Sequence, residues 1–222
     1  MTATHLERLG KLDACGVSDA MDGLGLPPAI VGIERLSGDG ILVGRVSTVT
    51  LAEGSPPPDA PKVHLCTRAI DNANDLTVIV VSHPGTDAGG WGGVLSNAAQ
   101  AKGVRGVVVD GPSRDVDEAR DLGFAIFARR PIARTARGRV YETATDAPVV
   151  IDDVTVKAGD YVIADTSGTV FIPADRIDDL LRAAEKLAAK EALMTEAVRS
   201  GKPAAEVMGV NYEDMLKDLH DG

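Results

Sequence analysis

Residues 76–82 read LTVIVVS, an unbroken apolar run bounded by turn-forming residues and too short for a buried helix. Such a run predicts a strand covered on both faces, so the chain must build a sheet with a layer of structure on each side. The segments downstream repeat the theme. Val94–Lys102 has helical character and ends at Gly103, Gly106–Val109 is a second apolar run, Asp115–Leu122 is a short helix ended by Gly123, and Phe124–Ala128 is a third strand. This β-α-β-α-β order predicts a small parallel sheet with right-handed crossovers.

The flanking segments extend the prediction. Residues 4–24 read as helix, broken at Gly16 and restarted with Ser18 as cap. Residues 29–35 and 40–51 read as strands, Gly54–Pro58 as a loop and 61–71 as a helix. Four short strands are expected at Val149–Ile151, Thr155–Val156, Tyr161–Ala164 and Thr169–Ile172. A long helix should run from Asp175 to about Arg199, its stripe made by Ile177, Leu180, Leu181, Ala184, Leu187, Ala188, Ala192 and Val198. Residues 1–200 are thus expected to form a single α/β domain. Residues 201–222 are expected to form an arm that packs on the domain or on a neighbouring subunit.

Charge and composition narrow the function. The 222 residues carry 23 Lys and Arg against 33 Asp and Glu, a net charge of −10, which disfavours nucleic acid and anionic membrane surfaces as partners. No apolar run approaches the ~18 residues of a membrane helix, and the N-terminus resembles no secretory signal. Cys15 and Cys66 are too few and too far apart for a disulfide scaffold or a zinc site. A cytoplasmic protein with free thiols is expected. His5, His64, His83 and His220 show no metal-ligand spacing; His64 and His83 read as loop or core residues, and Trp91 as packing or an interface anchor. The basic run Arg129, Arg130, Arg134, Arg137 and Arg139 could face a polyanionic substrate, RNA or an acidic patch of a neighbouring subunit, or simply be solvated. The chain's acidity favours the last two.

In open parallel sheets, ligands bind beyond the carboxyl ends of the strands. Two such ends carry distinctive residues here: the loop Gly89-Gly90-Trp91-Gly92-Gly93 ahead of one helix, and Arg114-Asp115 ahead of the next. Helix starts expose unpaired N–H groups and a partial positive charge. A guanidinium suits bidentate carboxylate recognition, and a lone Asp beside it can hold a hard cation that keeps several waters. The combination predicts a pocket for a 2-oxo acid. The plainer alternatives are a tight connection for the glycines, a first-turn carboxylate for Asp115 and a surface ion pair for Arg114. No dinucleotide or P-loop glycine motif is present, which leaves nucleotide binding with little support.

The segments VSDAMDGLG (17–25), GGWGGVLSNAAQAKGVRGVVVDG (89–111), SRDVDEARDLGFAIFAR (113–129) and AGDYVIADTSGTVFIP (158–173) occur in that order. They resemble the family of the regulator of ribonuclease activity A. That family also holds class II pyruvate aldolases acting on 4-hydroxy-4-methyl-2-oxoglutarate and 4-carboxy-4-hydroxy-2-oxoadipate. The resemblance spans about residues 10–200. It implies a swivelling β/β/α fold with extra β-strands and a long C-terminal helix, a homotrimer or homohexamer with sites at subunit interfaces, and Mg2+ or Mn2+. It implies that Arg114 contacts the substrate's keto oxygen, that Asp115 holds the metal, and that backbone amides along Gly92, Gly93, Val94 and Leu95 bind the substrate carboxylate. Glu191 of a neighbouring subunit would support the metal through water. One position departs: the aldolases carry an acid where this chain has Gly93, with Asp87 six residues earlier as a candidate substitute. Aldol cleavage needs that acid for its proton relay, whereas oxaloacetate decarboxylation does not. The expected function is a metal-dependent lyase of small 2-oxo acids that releases pyruvate. The alternative is a non-enzymatic regulator that binds a ribonuclease.

Overall fold

A computed structural model describes residues 2–59 and 63–209. At its centre is the strand foreseen from LTVIVVS, β3 (Thr77–Ser82), buried along its length. It lies parallel to β2 (Leu42–Glu53) on one side and to β4 (Gly106–Ser113) on the other; β4 in turn pairs in parallel with β5 (Ala125–Pro131). Helices α4 (Gly93–Ala101) and α5 (Val116–Leu122) make the crossovers. The remaining strands of the sheet are antiparallel. β1 (Glu34–Ser37) borders β5, β9 (Tyr161–Ala164) borders β2, β10 (Thr169–Ile172) borders β9, and β6 (Val140–Thr145) pairs with the far end of β2. This is the expected α/β architecture with a small parallel core, added strands and a long final helix.

The two faces of β3 explain its composition. Ile79 and Val81 pack with Leu95, Trp91, Val107 and Val109 under α4, α5 and α3 (Thr67–Asn72). Val78 and Val80 point the other way, onto the hairpin of β7 (Val149–Ile151) and β8 (Val154–Val156). Alternate residues thus serve opposite cores, so neither set can be polar. A third cluster joins α1 (Thr2–Leu9), α2 (Ala14–Gly23) and α6 (Ile177–Arg199) to β9 and β10.

Several boundaries differ from expectation. The N-terminal helix breaks at residues 10–13 rather than at Gly16, which lies inside α2. Asp13, not Ser18, caps α2, accepting the Gly16 N–H at 2.8 Å. The strand expected at 29–35 is reduced to a single bridge, Ile30 to Thr169, with β1 starting at Glu34. The helix expected over 61–71 is only α3; residues 61 and 62 of that span lie outside the described residues. In α6, burial stops at Leu187, and Val198 is exposed. Of the C-terminal arm, a short α7 (Ala204–Val207) is seen, and residues 210–222 lie outside the described residues.

Candidate functional site

The carboxyl ends of β3 and β4 lie side by side, and the glycine loop is fastened along the end of β4. The Gly90 N–H donates to the Pro112 carbonyl at 2.9 Å, and the Arg114 N–H to the Trp91 carbonyl at 3.0 Å. Trp91 anchors the loop from inside: it is buried, its indole N–H donates to Ser96 Oγ at 2.9 Å, and its ring stacks on Phe124. Trp91 is therefore a packing residue within the chain.

Each glycine of the loop leaves room for a particular side chain. A Cβ on Gly89 would stand 2.6 Å from Arg114 Cγ, and one on Gly92 would stand 3.0 Å from Asp115 Oδ2. A Cβ on Gly90 would meet the His83 ring at 2.9 Å, and one on Gly93 would meet the Glu118 carboxyl carbon at 2.6 Å. Carbon atoms in contact sit at about 3.5–4.0 Å. The glycines are thus required by the side chains of the β4–α5 connection, of α5 and of the loop after β3.

Gly92, Gly93, Val94, Leu95, Arg114 and Asp115 line a single cavity of about 400 Å3. Gly92 caps α4 without any side-chain bond, so the first-turn N–H groups of Val94 and Leu95 have no helical acceptor. The Gly93 N–H is already used, donating to Asp115 Oδ2 at 2.9 Å. Asp115 itself sits in the left-handed region (φ 54, ψ 40) at the start of α5, where a carboxylate usually caps the helix. Its side chain makes no such cap and turns back across the loop. A non-glycine residue held in this region costs about 1–3 kcal/mol and is commonly maintained for function. Arg114 Nε is buried and has no hydrogen-bond partner among the described residues. Its Nη2 is 3.9 Å from Asp115 Oδ1, a loose pair that leaves the guanidinium available.

These residues fit a hard divalent cation. Among the described residues, no three His, Cys, Asp or Glu side chains form a metal-ligating group. Asp115, 40% exposed and cradled over Gly92, offers one carboxylate to an ion that otherwise keeps water, as Mg2+ does.

Other expected residues fall elsewhere. Glu191 lies on α6, which packs on α1 and α2, and does not line this cavity. Burial, with the Asp19 and Asp13 carboxylates nearby, pushes its pKa up. Asp87 is engaged by Arg130 rather than turned to the loop. The basic run divides. Arg129 binds Asp110 at 2.8 Å and Asp152 at 2.7 Å, Arg139 bonds local carbonyls, and Arg137 reaches the cavity. His83 is buried behind the loop and His64 lies in a loop, as expected, and His64 also lines the cavity.

The far wall went unforeseen. It includes Arg68, Tyr141 and Glu142. Glu142 is almost fully buried and accepts the Cys66 N–H at 2.6 Å and the Thr145 hydroxyl at 2.8 Å, with Arg68 Nε 3.3 Å away. Burial of the Cys66 thiol, with Glu142 nearby, raises its pKa well above the usual range. A buried acid in the middle of β6 conceals that strand, because it interrupts the apolar alternation that would announce it.

The family described as RraA-like (Aldolase/RraA) matches residues 14–171. Protein DlpA of Legionella pneumophila is 27% identical over 197 residues, which is 88% of this chain but 32% of that protein. The 4-hydroxy-4-methyl-2-oxoglutarate aldolase of Thermus thermophilus is 35% identical over 86 residues, 37% of this chain and 49% of that one. The chain therefore spans a third to a half of these relatives' lengths. The crystal structure of an uncharacterized protein from Pseudomonas syringae superposes with a TM-score of 0.84 at 28% identity, covering 94% of this chain and 98% of that one.

Proposed function

The chain belongs to the RraA-like family, and from that premise we propose that it is a divalent-metal-dependent lyase of small 2-oxo acids. It would release pyruvate by aldol cleavage of substrates like 4-hydroxy-4-methyl-2-oxoglutarate, by decarboxylation of oxaloacetate, or by both. The name of the Thermus relative supports the reaction class. The observation that carries the reading is the meeting, in one cavity, of an Arg114 whose buried Nε has no partner among the described residues and an Asp115 held in a strained backbone and turned away from its capping role.

The roles follow from position. The free N–H groups of Val94 and Leu95 bind the substrate carboxylate at the positive end of α4. Arg114 donates to the keto oxygen and stabilises the negative charge that develops there when the C–C bond breaks. Asp115, oriented by the Gly93 N–H, holds the cation. Mg2+ or Mn2+, when bound, adds Lewis-acid polarisation of the keto group. Val94, 84% exposed at the cavity, would be covered in the homotrimer or homohexamer proposed here, from which a neighbouring Glu191 would approach. Sedimentation measures that assembly.

The test is pyruvate release coupled to lactate dehydrogenase, with each substrate, with Mg2+ or Mn2+ and with chelator, against a metal-only blank. Arg114→Ala should lower kcat/KM by at least about 100-fold, the scale of losing one stabilising donor, and Asp115→Ala should remove the stimulation by Mg2+ or Mn2+ together with the turnover that depends on it. Wild-type protein that turns over neither substrate above the blank overturns the lyase and favours the ribonuclease-binding regulator.

A further inference from the structure

Pyruvate alone would leave much of the cavity empty. Its volume of about 400 Å3 has room for roughly a dozen water-sized groups at about 30 Å3 each, about twice the number of non-hydrogen atoms in pyruvate. The remaining space is bounded by the far wall, where Arg68 from the first turn of α3 and Arg137 from the segment before β6 stand with Glu142 of β6. Together with Arg114 and Asp115, three guanidiniums line the cavity against two carboxylates, a cationic surplus in a chain whose net charge is −10.

Glu142 does not cancel that surplus from the cavity side. Its oxygens accept the Cys66 N–H at 2.6 Å and the Thr145 hydroxyl at 2.8 Å, out of contact with water. Two local distortions hold it there. The pairing of β6 with β2 slips by one residue, so that Leu51 faces Glu142 and Thr50 faces Ala144, and Thr143 becomes the extra residue of a bulge, a device that re-aims side chains. Cys66 takes the left-handed conformation (φ 65), costly for any residue but glycine. Arg68 is placed by this acid: its Nε lies 3.3 Å from Glu142 Oε1, and no acceptor among the described residues takes a hydrogen bond from either Nη. Arg137 is bonded only through its backbone, its N–H donating to Thr135 and its carbonyl accepting from Arg139. The guanidinium of Arg68 is thus fixed by its Nε while its outer pair of Nη groups stays free, and such a pair matches the two oxygens of a carboxylate or a phosphate.

We propose that Arg68 is a specificity-determining residue of this cavity, positioned by Glu142, and that the molecule it selects carries a second anionic group, carboxylate or phosphate, at the end remote from its 2-oxo acid. The assignment rests on the lyase reading above, in which Val94, Leu95 and Arg114 hold the near end. The near end becomes pyruvate, and the far end belongs to the other product. Arg68 therefore sets which compound is released beside pyruvate, while the groups that break the bond stay the same.

The experiment titrates the protein, with Mn2+ present, against three analogues of equal length that lack a C4 hydroxyl and cannot undergo aldol cleavage. They are 2-oxoadipate, ending in a carboxylate, 2-oxo-5-phosphonopentanoate, ending in a phosphonate, and 2-oxohexanoate, ending in a methyl group. Isothermal titration calorimetry gives the dissociation constants. Wild type should bind at least one of the two-ended anions about tenfold or more tighter than 2-oxohexanoate, the low end for a hydrogen bond to a charged group, and the tighter of the two names the far anion. In Arg68→Met that preference should fall below about threefold, with the affinity for 2-oxohexanoate held within the same factor. Arg68→Met leaves Glu142 buried without its cation, so Arg68→Met/Glu142→Gln is titrated as well and should behave alike. Glu142→Gln alone keeps an acceptor for the Cys66 N–H but removes the charge beside Arg68, and it should lower the preference too. A wild type that binds all three analogues alike, a preference kept in both Arg68 variants, or a parallel loss of all three affinities overturns the role of Arg68 and leaves the lyase standing. A preference that rises in Glu142→Gln shows Glu142 competing for Arg68 and overturns its positioning role. Preference for a two-ended anion in a protein that releases pyruvate from no substrate overturns the lyase and leaves the subsite. A wild type that binds none of the three overturns both.

Discussion

Replacing Gly89 with alanine adds one methyl group to a residue outside the proposed chemistry, and its effect can be worked out from the structure. Gly89 does not have a positive φ, so alanine brings no backbone strain, and its N–H bond to the Arg134 carbonyl at 3.0 Å survives. The new Cβ would stand 2.6 Å from Arg114 Cγ and 2.8 Å from Cδ. Against a carbon contact distance of about 3.5–4.0 Å, the stem of Arg114 must retreat by about 1 Å. The guanidinium lies beyond those atoms and moves at least as far. Arg114 is 35% exposed, so it can swing toward solvent, and the stability loss should stay at the low end of the about 1–3 kcal/mol typical of overpacking. A 1 Å misplacement of a positioning group can cost about 100-fold in rate, close to 2.7 kcal/mol of barrier. Coupled pyruvate release measures the rate, and a urea titration measures the fold. Gly168→Ala is the control, because its Cβ would meet only the Ile30 carbonyl at 3.9 Å. If Gly89→Ala keeps wild-type kcat/KM while Arg114→Ala is inactive, the claim that the glycine exists to seat Arg114 is wrong.

Two further outcomes follow from buried titratable groups. Burial, helped by the nearby Arg130 charge, lowers the His83 pKa below its usual 6.5. The unfolded chain then takes up a proton that the native state resists, so stability should be lost as pH falls from about 6.5 through the lower native value. Urea midpoints at pH 7.5 and 5.5 should differ less in His83→Gln than in wild type; an equal difference would acquit His83. Cys15 is exposed, whereas Cys66 is buried with its pKa raised by burial. Ellman's reagent at pH 8 should therefore titrate one thiol per native chain rapidly and the second only in denaturant.

The central strands and their helices were legible because their residues answer to local rules. Val78 to Val81 must be apolar when both faces are covered, and Gly103 and Gly123 end their helices in the left-handed conformation that favours glycine. Arg114 and Asp115 stood out because they stand between an apolar strand and the helix that follows it, where ligands bind in parallel sheets. What escaped notice depends on distant partners. Glu142 makes sense only beside Arg68 and the Cys66 N–H, dozens of residues away in the chain. Asp13 outcompetes Ser18 as cap because the helix starts where tertiary packing puts it, not where the nearest hydroxyl lies. Glu118 reads as an ordinary first-turn acid until Gly93 is seen beneath it.

Strand β2 has consequences for how the molecule comes into being. It touches β3 a few dozen residues downstream, with Arg45 opposite Thr77, yet its other edge waits for β9, with Leu42 opposite Ala164. Between those events the chain must deliver β4, β5, β6 and the β7–β8 hairpin. Contacts of such large sequence separation carry a high entropic cost of closure and slow the folding search. On a ribosome, the strands that support the candidate site would emerge with the Leu42–Arg45 stretch of that flank of β2 still unpaired, because β6 covers only Val49–Glu53 of it. That exposed edge is a template for pairing with another chain, so the hazard of misassembly should be greatest in the interval before Tyr161–Ala164 arrives to cover it.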